Sequence, residues 1–494
     1  MRKRAALPID WLLEQEEPEG TTRAFSALRR GVRKDATPPG FSAHDYVVFL
    51  LTIGAELEHS LMVQYLYAAY SLGGPQVPEE HRETVRGWQD AILSIAKEEM
   101  GHLLTVQNML RLLGGPLNLS REDFPWDTKL SPFPFALRPL DQSVLAQYVV
   151  AESPKDWGDA ATPEEKALII AQAAAASGQA VNRVGALYSY AIKLLSDETL
   201  LPDAAFQGDT LPFQATWDEW GRNYGPVNGK TAPNDADVLI GTAFSRQSAI
   251  QALTQLAAQG EAPDIAPSLE EASHFHRFLA IWRAFPTVKN AVRPLAVNPQ
   301  IAPPELPEEA RLETADASAS TTTWISDRRS AAWAELFNLR YRMLLTYLSH
   351  SFRIAGDGGT QSEASVRGFV VQRTFAEMYN LKTIAHLLVQ MPANASGGIT
   401  RAGPPFAMPY TLNLPQDEPD VWLLHLDLLE ASEALAAQLA PSADERESAY
   451  LGSLAAIDRK SMQAIDAILR RGGSEQPGSL TGRLGAHHPH GSRA

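Results

Sequence analysis

The sequence predicts an all-α protein in two blocks: a four-helix bundle with a long crossover loop, followed by a second, mainly helical C-terminal domain. Three observations carry that prediction. Long apolar-rich segments are separated by Gly- and Pro-rich stops, alanine and other strong helix formers fill them, and no strand-like alternation stands out anywhere in the 494 residues.

Residues 1–40 read as an N-terminal arm ending in Pro38-Pro39-Gly40, and residues 41–293 as the bundle. The first helix runs from about Ser42 to Leu72 and is stopped by Gly73-Gly74-Pro75. The second opens near Pro78-Glu79, a favourable helix start, and continues to Leu113 before Gly114-Gly115-Pro116. A proline-rich connection covers roughly 115–140, and an alanine-rich third helix spans Pro163 to about Leu195. The loop at roughly 199–235 carries Phe213, Trp217, Trp220 and Tyr224; its length suits a lid over a site or an aromatic-anchored crossover. The fourth helical region starts near Asp235, breaks around Gly260 to Pro267, and restarts at Ser268 through Phe285. Residues 294–324 read as a Pro-rich linker, with five prolines between Pro294 and Pro307. The C-terminal helical domain, 325–471, holds the segments Ser330–Ile354, Ser365–Met391, Val421–Leu439 and Asp444–Arg471. Residues 472–494, low in apolar side chains, read as a disordered tail.

Composition removes several function classes. The formal net charge of −15 argues against a nucleic-acid partner held through phosphates. With no cysteine there can be no disulfide, thiolate metal site, iron–sulfur cluster or cysteine nucleophile, so any metal must use carboxylate and imidazole ligands. The basic start MRKR is followed by a broken apolar run, a poor signal peptide. Glu56, Glu58, His59 and Gln64 interrupt the first helix at its centre, which reads as a soluble core helix rather than a membrane span. The expected location is the cytoplasm.

The chemistry is carried by Glu-x-x-His, which places a carboxylate and an imidazole one turn apart on the same helix face. The chain has three: Glu56–His59, Glu99–His102 and Glu271–His274. Random placement of its 33 glutamates and 12 histidines would give roughly one. All three fall in apolar helices of the first block, residues 41–293; Glu58 lies beside Glu56 and His59, with Tyr65 seven residues after it on the same face. Ionisable groups in such surroundings are costly, and a divalent ion held by oxygen and imidazole ligands would neutralise them. A buried ion pair is the plainer alternative for Glu99 and His102, weighed against metal by the company of a second pair. Ser268 and Glu271 also fit a capping box, in which Glu271 serves only the helix start. Glu98, about 100° round the helix from Glu99, is expected on the outer face. His276 and Arg277 are expected in surface or interhelix contacts, and His350 and His425 as ordinary polar residues.

The strings AELEHSLMVQYLYAAYSL, IAKEEMGHLLTVQNMLRLLGGP, RVGALYSYAI, AAQGEAP, SHFHRFLAIW and PLAVNP, in that order, resemble the ferritin-like family of the iminophenylpyruvate dimer synthases. The likeness covers residues 41–300 and continues more weakly, through AELFNLRYRMLLTYL and AGPPFAMPY, to about 440. It implies a ferritin-like bundle whose first helix contributes Glu58 with Glu56 and His59 beside it, whose second contributes Glu99 and His102, and whose fourth region contributes Glu271 and His274. Tyr65 would orient a ligand or relay protons or electrons. One departure stands out: the third helix has no Asp or Glu between Lys166 and Leu195, and Ala186 stands where a carboxylate would be expected. The site could then be mononuclear, or dinuclear with Glu56 or His59 drawn in.

The function these features imply is a metal-dependent oxidative enzyme using iron, or manganese, in a mono- or dinuclear site. Its substrate would be a small amino-acid-derived molecule, an imino or amino acid of secondary metabolism. The alternative is a non-catalytic ferritin-like metal-binding or scaffold protein whose buried Glu and His residues make ion pairs.

Overall fold

The computed structural model describes residues 37–38, 40–122, 132–220, 238–260, 272–303, 322–356, 365–396 and 398–472. They fall into two compact units, Met1–Arg293 and Pro294–Ala494. Nearly all of the expected arm (1–36 and 39), nearly all of the tail (473–494), Tyr224, Ser268 and Glu271 lie outside the described residues.

In the first unit, Ser42 caps α1 (Ala43–Ser71) by accepting a hydrogen bond from the Asp45 amide, one of the donors that a helix start leaves unpaired. A short connection through Gly73 and Gly74, both at positive φ, folds α2 (Arg82–Leu112) back along α1. α1 has the length and composition to cross a membrane, but its apolar surface is spent inside the bundle.

The expected third helix, Pro163 to about Leu195, proves to be two, and a further helix precedes it. Asp141 caps an additional helix, α3 (Gln142–Ala151), its Oδ1 accepting from the amides of Ser143 and Val144. Farther on, Gly178 adopts φ +67° and ends α4 (Pro163–Ser177); α5 (Gly185–Leu195) is a separate helix. The alanine run concealed that break. α6 (Arg246–Gly260) and α7 (His274–Ala284) form the fourth region, and the cap of α7 is Ser273, whose Oγ accepts from the His276 amide.

α2 packs along α1, α7 packs on α2, α3 and α6, and α5 packs on α1 and α6. α3 also reaches α1 through Tyr148, whose ring meets Tyr65 edge-on with centroids 4.7 Å apart. Helices α1, α2, α3 and α7 thereby share one interior. The described part of the crossover is anchored to it: the Asn108 amide bonds the carbonyls of Ala215 and Gly241 and accepts from the Ala215 amide, and Trp220 is fully buried.

The second unit opens with a short parallel pair, β1 (Pro299–Ile301) and β2 (Thr323–Ile325), at the edges of the expected linker. Strands of three residues are too short to show an alternation. Four helices follow: α8 (Arg328–Ser351), α9 (Val366–Leu388), α10 (Glu418–Leu439) and α11 (Glu445–Gly472). Met343, Tyr347, Val370, Trp422, Leu429 and Ile465 fill their core. A buried ionic cluster also sits there, with Arg340 between Glu377 at 3.2 Å and Asp458, and Arg373 bonding Glu377 at 2.8 Å.

Candidate metal centre

The functional side chains reach the interior of the first unit from four helices. α1 supplies Glu58 and Tyr65, α2 supplies Glu98, Glu99 and His102, α3 ends on Glu152, and α7 begins on His274. All of them are essentially inaccessible to solvent. They form two groups of three that share one member: Glu58, Glu99 and His102, and Glu99, Glu152 and His274, with the ligand atoms of each group within 4.8 Å of one another.

His102 Nδ1 lies 3.0 Å from Glu99 Oε2 and 3.4 Å from Glu58 Oε2. His274 Nδ1 lies 3.1 Å from Glu99 Oε1 and 3.6 Å from Glu152 Oε2. The two imidazole rings are near parallel, with centroids 5.5 Å apart, one on each side of Glu99. Glu99 thus offers one oxygen to each histidine.

Four of these atoms are held only by ion-pair contacts, with no hydrogen bond of good geometry among the described residues: Glu58 Oε2, Glu99 Oε1, Glu152 Oε2 and His274 Nδ1. Each would cost about 1–3 kcal/mol if left unsatisfied in a protein interior. Three are carboxylate oxygens and the fourth an imidazole nitrogen, which together, once deprotonated, make a ligand set suited to a hard or borderline divalent cation. Space is also kept open there. A methyl group on Gly260 would stand 2.6 Å from His274 Nδ1 and 3.2 Å from Glu152 Oε2. The residues therefore fit a carboxylate- and histidine-bound metal.

The electrostatics of the metal-free cluster are those of too many charges in too little solvent. Burial, with Glu99 adding to it, pushes the Glu58 carboxyl up to about 8. Burial also acts against ionised Glu99, but His274 and His102 outweigh it and hold that carboxylate well below its usual range. His102, opposed by burial, is raised to about 10 by Glu99 and Glu58. His274 is raised well above its ordinary value despite burial, chiefly by Glu99. Glu152 is raised by burial and by Glu99. A bound cation would displace those protons and take over the neutralising role.

The outer contacts are equally defined. Tyr65 donates to Glu152 Oε1, and Tyr188 of α5 donates to Glu58 Oε1. His274 Nε2 pairs with Glu98 Oε2 at 2.9 Å, and Arg277 pairs with the same carboxylate. His102 Nε2 pairs with Gln259 Oε1 at 3.0 Å.

Among the residues expected at the site, the structure brings together Glu58, Glu99, His102, His274 and Tyr65. Two others are committed elsewhere. Glu56 accepts from Asn118 Nδ2 at 2.9 Å, and His59 Nδ1 pairs with the Leu119 carbonyl at 2.9 Å. Burial and the Arg121 charge push His59 down to about 3, so it is a neutral anchor for the chain leaving α2. At about 100° per residue, Glu56 lies roughly 200° and His59 roughly 100° round the helix from Glu58, so neither shares its inward face. Glu98 corrects an expectation: it is 1% exposed, because α7 covers that side of α2 with His274 and Arg277.

The carboxylate missing from the expected third helix is supplied by Glu152. It sits at the end of α3, a helix the sequence reading did not assign, and the VGALY segment contributes Tyr188 instead. The signal was present in LDQSVLAQYVVAESP: a capping Asp141, an apolar run with helical spacing, and Pro154 as a stop.

Residues 51–283 match the family described as Ferritin-like. Two curated proteins are similar to shorter stretches. Dichlorochromopyrrolate synthase of Lentzea aerocolonigenes is 30% identical over 143 residues, 25% of this chain and 14% of that protein. The 2-imino-3-(indol-3-yl)propanoate dimerase of Chromobacterium violaceum is 36% identical over 126 residues, 20% of this chain and 12% of that protein. The matched stretch is thus a small fraction of either relative's length. No solved structure matches the chain.

Proposed function

From the premise that the stretch spanning residues 51–283 belongs to the ferritin-like family, we propose that this protein is a metal-dependent oxidative enzyme with a dinuclear centre. The observation that carries the reading is Glu99, which offers one oxygen to each of two buried Glu/His groups. Glu58 and His102 would hold one ion, Glu152 and His274 the other, with Glu99 between them. A mixed carboxylate and imidazole ligand set in a ferritin-like bundle supports iron or manganese. Such a centre, when loaded, supplies the capacity to activate dioxygen or peroxide.

The chain's own residues do the rest. Tyr65 and Tyr188 each hold one oxygen of an outer carboxylate and leave the other oxygen turned inward. The Tyr65 hydroxyl can pass its proton to Glu152 Oε1 and recover it there, which is the role we assign it. The apolar walls of α1, α2, α3 and α7 exclude water from the cluster. The name of one relative, a 2-imino-3-(indol-3-yl)propanoate dimerase, supports a small amino-acid-derived imino acid as substrate, and secondary metabolism belongs to the same reading. A cytoplasmic location belongs to the same reading, since the membrane-length helix α1 is spent on the bundle core. Glu152, in a second Glu/His group, favours metal binding over a scaffold of buried ion pairs.

The test is metal analysis of protein purified without a His-tag, repeated on the Glu99→Ala, His102→Ala double variant. The reading expects about two ions per chain, lost in the variant with helical content retained, and metal-dependent oxygen uptake with an aromatic imino acid. A folded wild-type protein that takes up neither iron nor manganese would reject it.

A further inference from the structure

The two histidines are backed by different groups. We propose that this ranks the two metal positions: the Glu152–His274 half is the tighter and fills first, with Glu98 and Gln259 as the positioning residues that set the order. The inference rests on the two-ion reading above and adds the residues that make the halves unequal.

Each histidine turns Nδ1 toward the carboxylates and Nε2 away from them. Behind His274 the Nε2 partner is a carboxylate oxygen of Glu98 at 2.9 Å. Behind His102 it is the amide oxygen of Gln259 at 3.0 Å. A hydrogen bond to an ionised acceptor is roughly twice as strong as one to a neutral acceptor. Drawing harder on the far N–H pushes electron density through the ring to Nδ1, so His274 becomes the better donor to a cation. Arg277 withdraws part of the Glu98 charge. It also fixes that carboxylate ionised and in plane, with Nη1 at 2.9 Å from Oε1 and Nη2 on Oε2.

The arrangement is economical in sequence. Glu98 and Glu99 are adjacent, so one turn of α2 delivers both the shared ligand and the group behind His274. Gln259 and Gly260 are adjacent as well, and the last turn of α6 both backs His102 and leaves the space in front of His274 open.

Cobalt(II) titration of the metal-free full chain, followed by visible absorption and calorimetry, tests the proposal. Wild type is expected to take two ions in steps separated about 10- to 100-fold in affinity. Glu98→Gln should weaken the tight step about 10- to 100-fold and leave the other unchanged, and Glu98→Asp should restore part of the loss. Gln259→Glu, which removes no ion-pair partner, should strengthen the weak step and close the gap from the other side. In the cobalt-loaded protein, Glu98→Gln should shift one of the two exchangeable imidazole N–H proton resonances and not the other, an effect that general loosening of the fold would not give. Two equal steps in wild type, or a tight step indifferent to Glu98→Gln with the weak step indifferent to Gln259→Glu, would overturn the ranking while leaving the two-ion centre standing. No cobalt uptake by folded wild type would overturn both.

Discussion

Tyr65 and Glu152 stand 87 residues apart in the chain and meet in a buried hydrogen bond, the phenol donating to Oε1 of the carboxylate. Tyr188 and Glu58 repeat the relationship across 130 residues. Each outer carboxylate therefore has one oxygen pinned by a tyrosine and the other aimed at a histidine nitrogen. This fixes the carboxylate rotamers before any ion arrives, which lowers the ordering cost of binding.

Removing one pin should loosen one position only. Tyr188→Phe is expected to weaken the ion held by Glu58 and His102 about 10-fold, and Tyr65→Phe the ion held by Glu152 and His274 by a similar factor. Manganese(II) titration by calorimetry reads both constants in each variant. A variant that weakened both ions equally would show that the tyrosines act on the fold and not on their own carboxylates.

Gly260 offers a steric test of the same centre. A methyl group there would stand 2.6 Å from His274 Nδ1 and 2.9 Å from its Cγ, so Gly260→Ala must move the imidazole or the last turn of α6. The expected result is loss of one ion of two, with a stability cost of about 1–3 kcal/mol from overpacking. Metal content and a urea melt check it, and a variant holding both ions at unchanged affinity would refute it.

How much of this centre was legible in the sequence follows from where its ligands lie. Glu99 and His102 form a motif within one helix, and spacing alone placed them on a common face. Glu58 was marked by carboxylates and a histidine in an apolar run, but the phase of α1 relative to α2 decides that Glu56 and His59 turn aside, and a single helix does not encode that phase. Glu152 stands alone at the end of a ten-residue helix with no histidine nearby in sequence. Only tertiary packing brings it to His274. From α2 alone Glu98 falls on the outer face, but α7 covers that side with His274 and Arg277.

The second unit holds a cation of its own making. Arg340 is fully buried, bonds Asp458 Oδ1 at 3.0 Å and Glu377 at 3.2 Å, and lies in the cluster that Arg373 and Ser432 complete. Removing it leaves two buried carboxylates short of a counter-charge. Arg340→Met is expected to destabilise the protein by about 3–5 kcal/mol, while combining it with Glu377→Gln and Asp458→Asn should recover a large part of that loss. Denaturant melts of both variants check the expectation. Equal loss in the two would mean that packing, not charge, is what Arg340 contributes.

The pH response of the second unit follows from a different pair. His350 Nδ1 and His425 Nε2 are 3.0 Å apart in the core, and His350 Nε2 pairs with Glu418 at 2.5 Å. Burial, and then the neighbouring His350, hold His425 well below its ordinary range; burial also lowers His350, with Glu418 opposing it and Arg353 adding to it. Both histidines are thus neutral in the fold at pH values where the unfolded chain protonates them. Stability is then full above the ordinary histidine value of about 6.5 and falls as the pH drops below it, because the unfolded state binds more protons. Each histidine contributes a slope of up to about 1.4 kcal/mol per pH unit. Glu418 acts in a lower window: its carboxylate is held below the usual value, so its contribution persists until the pH falls through the carboxylate range. Urea melts between pH 8 and 5.5 should therefore show a steeper acid-side loss in wild type than in His425→Gln, the difference approaching one histidine's slope. Parallel slopes would show that His425 takes its proton in the folded state.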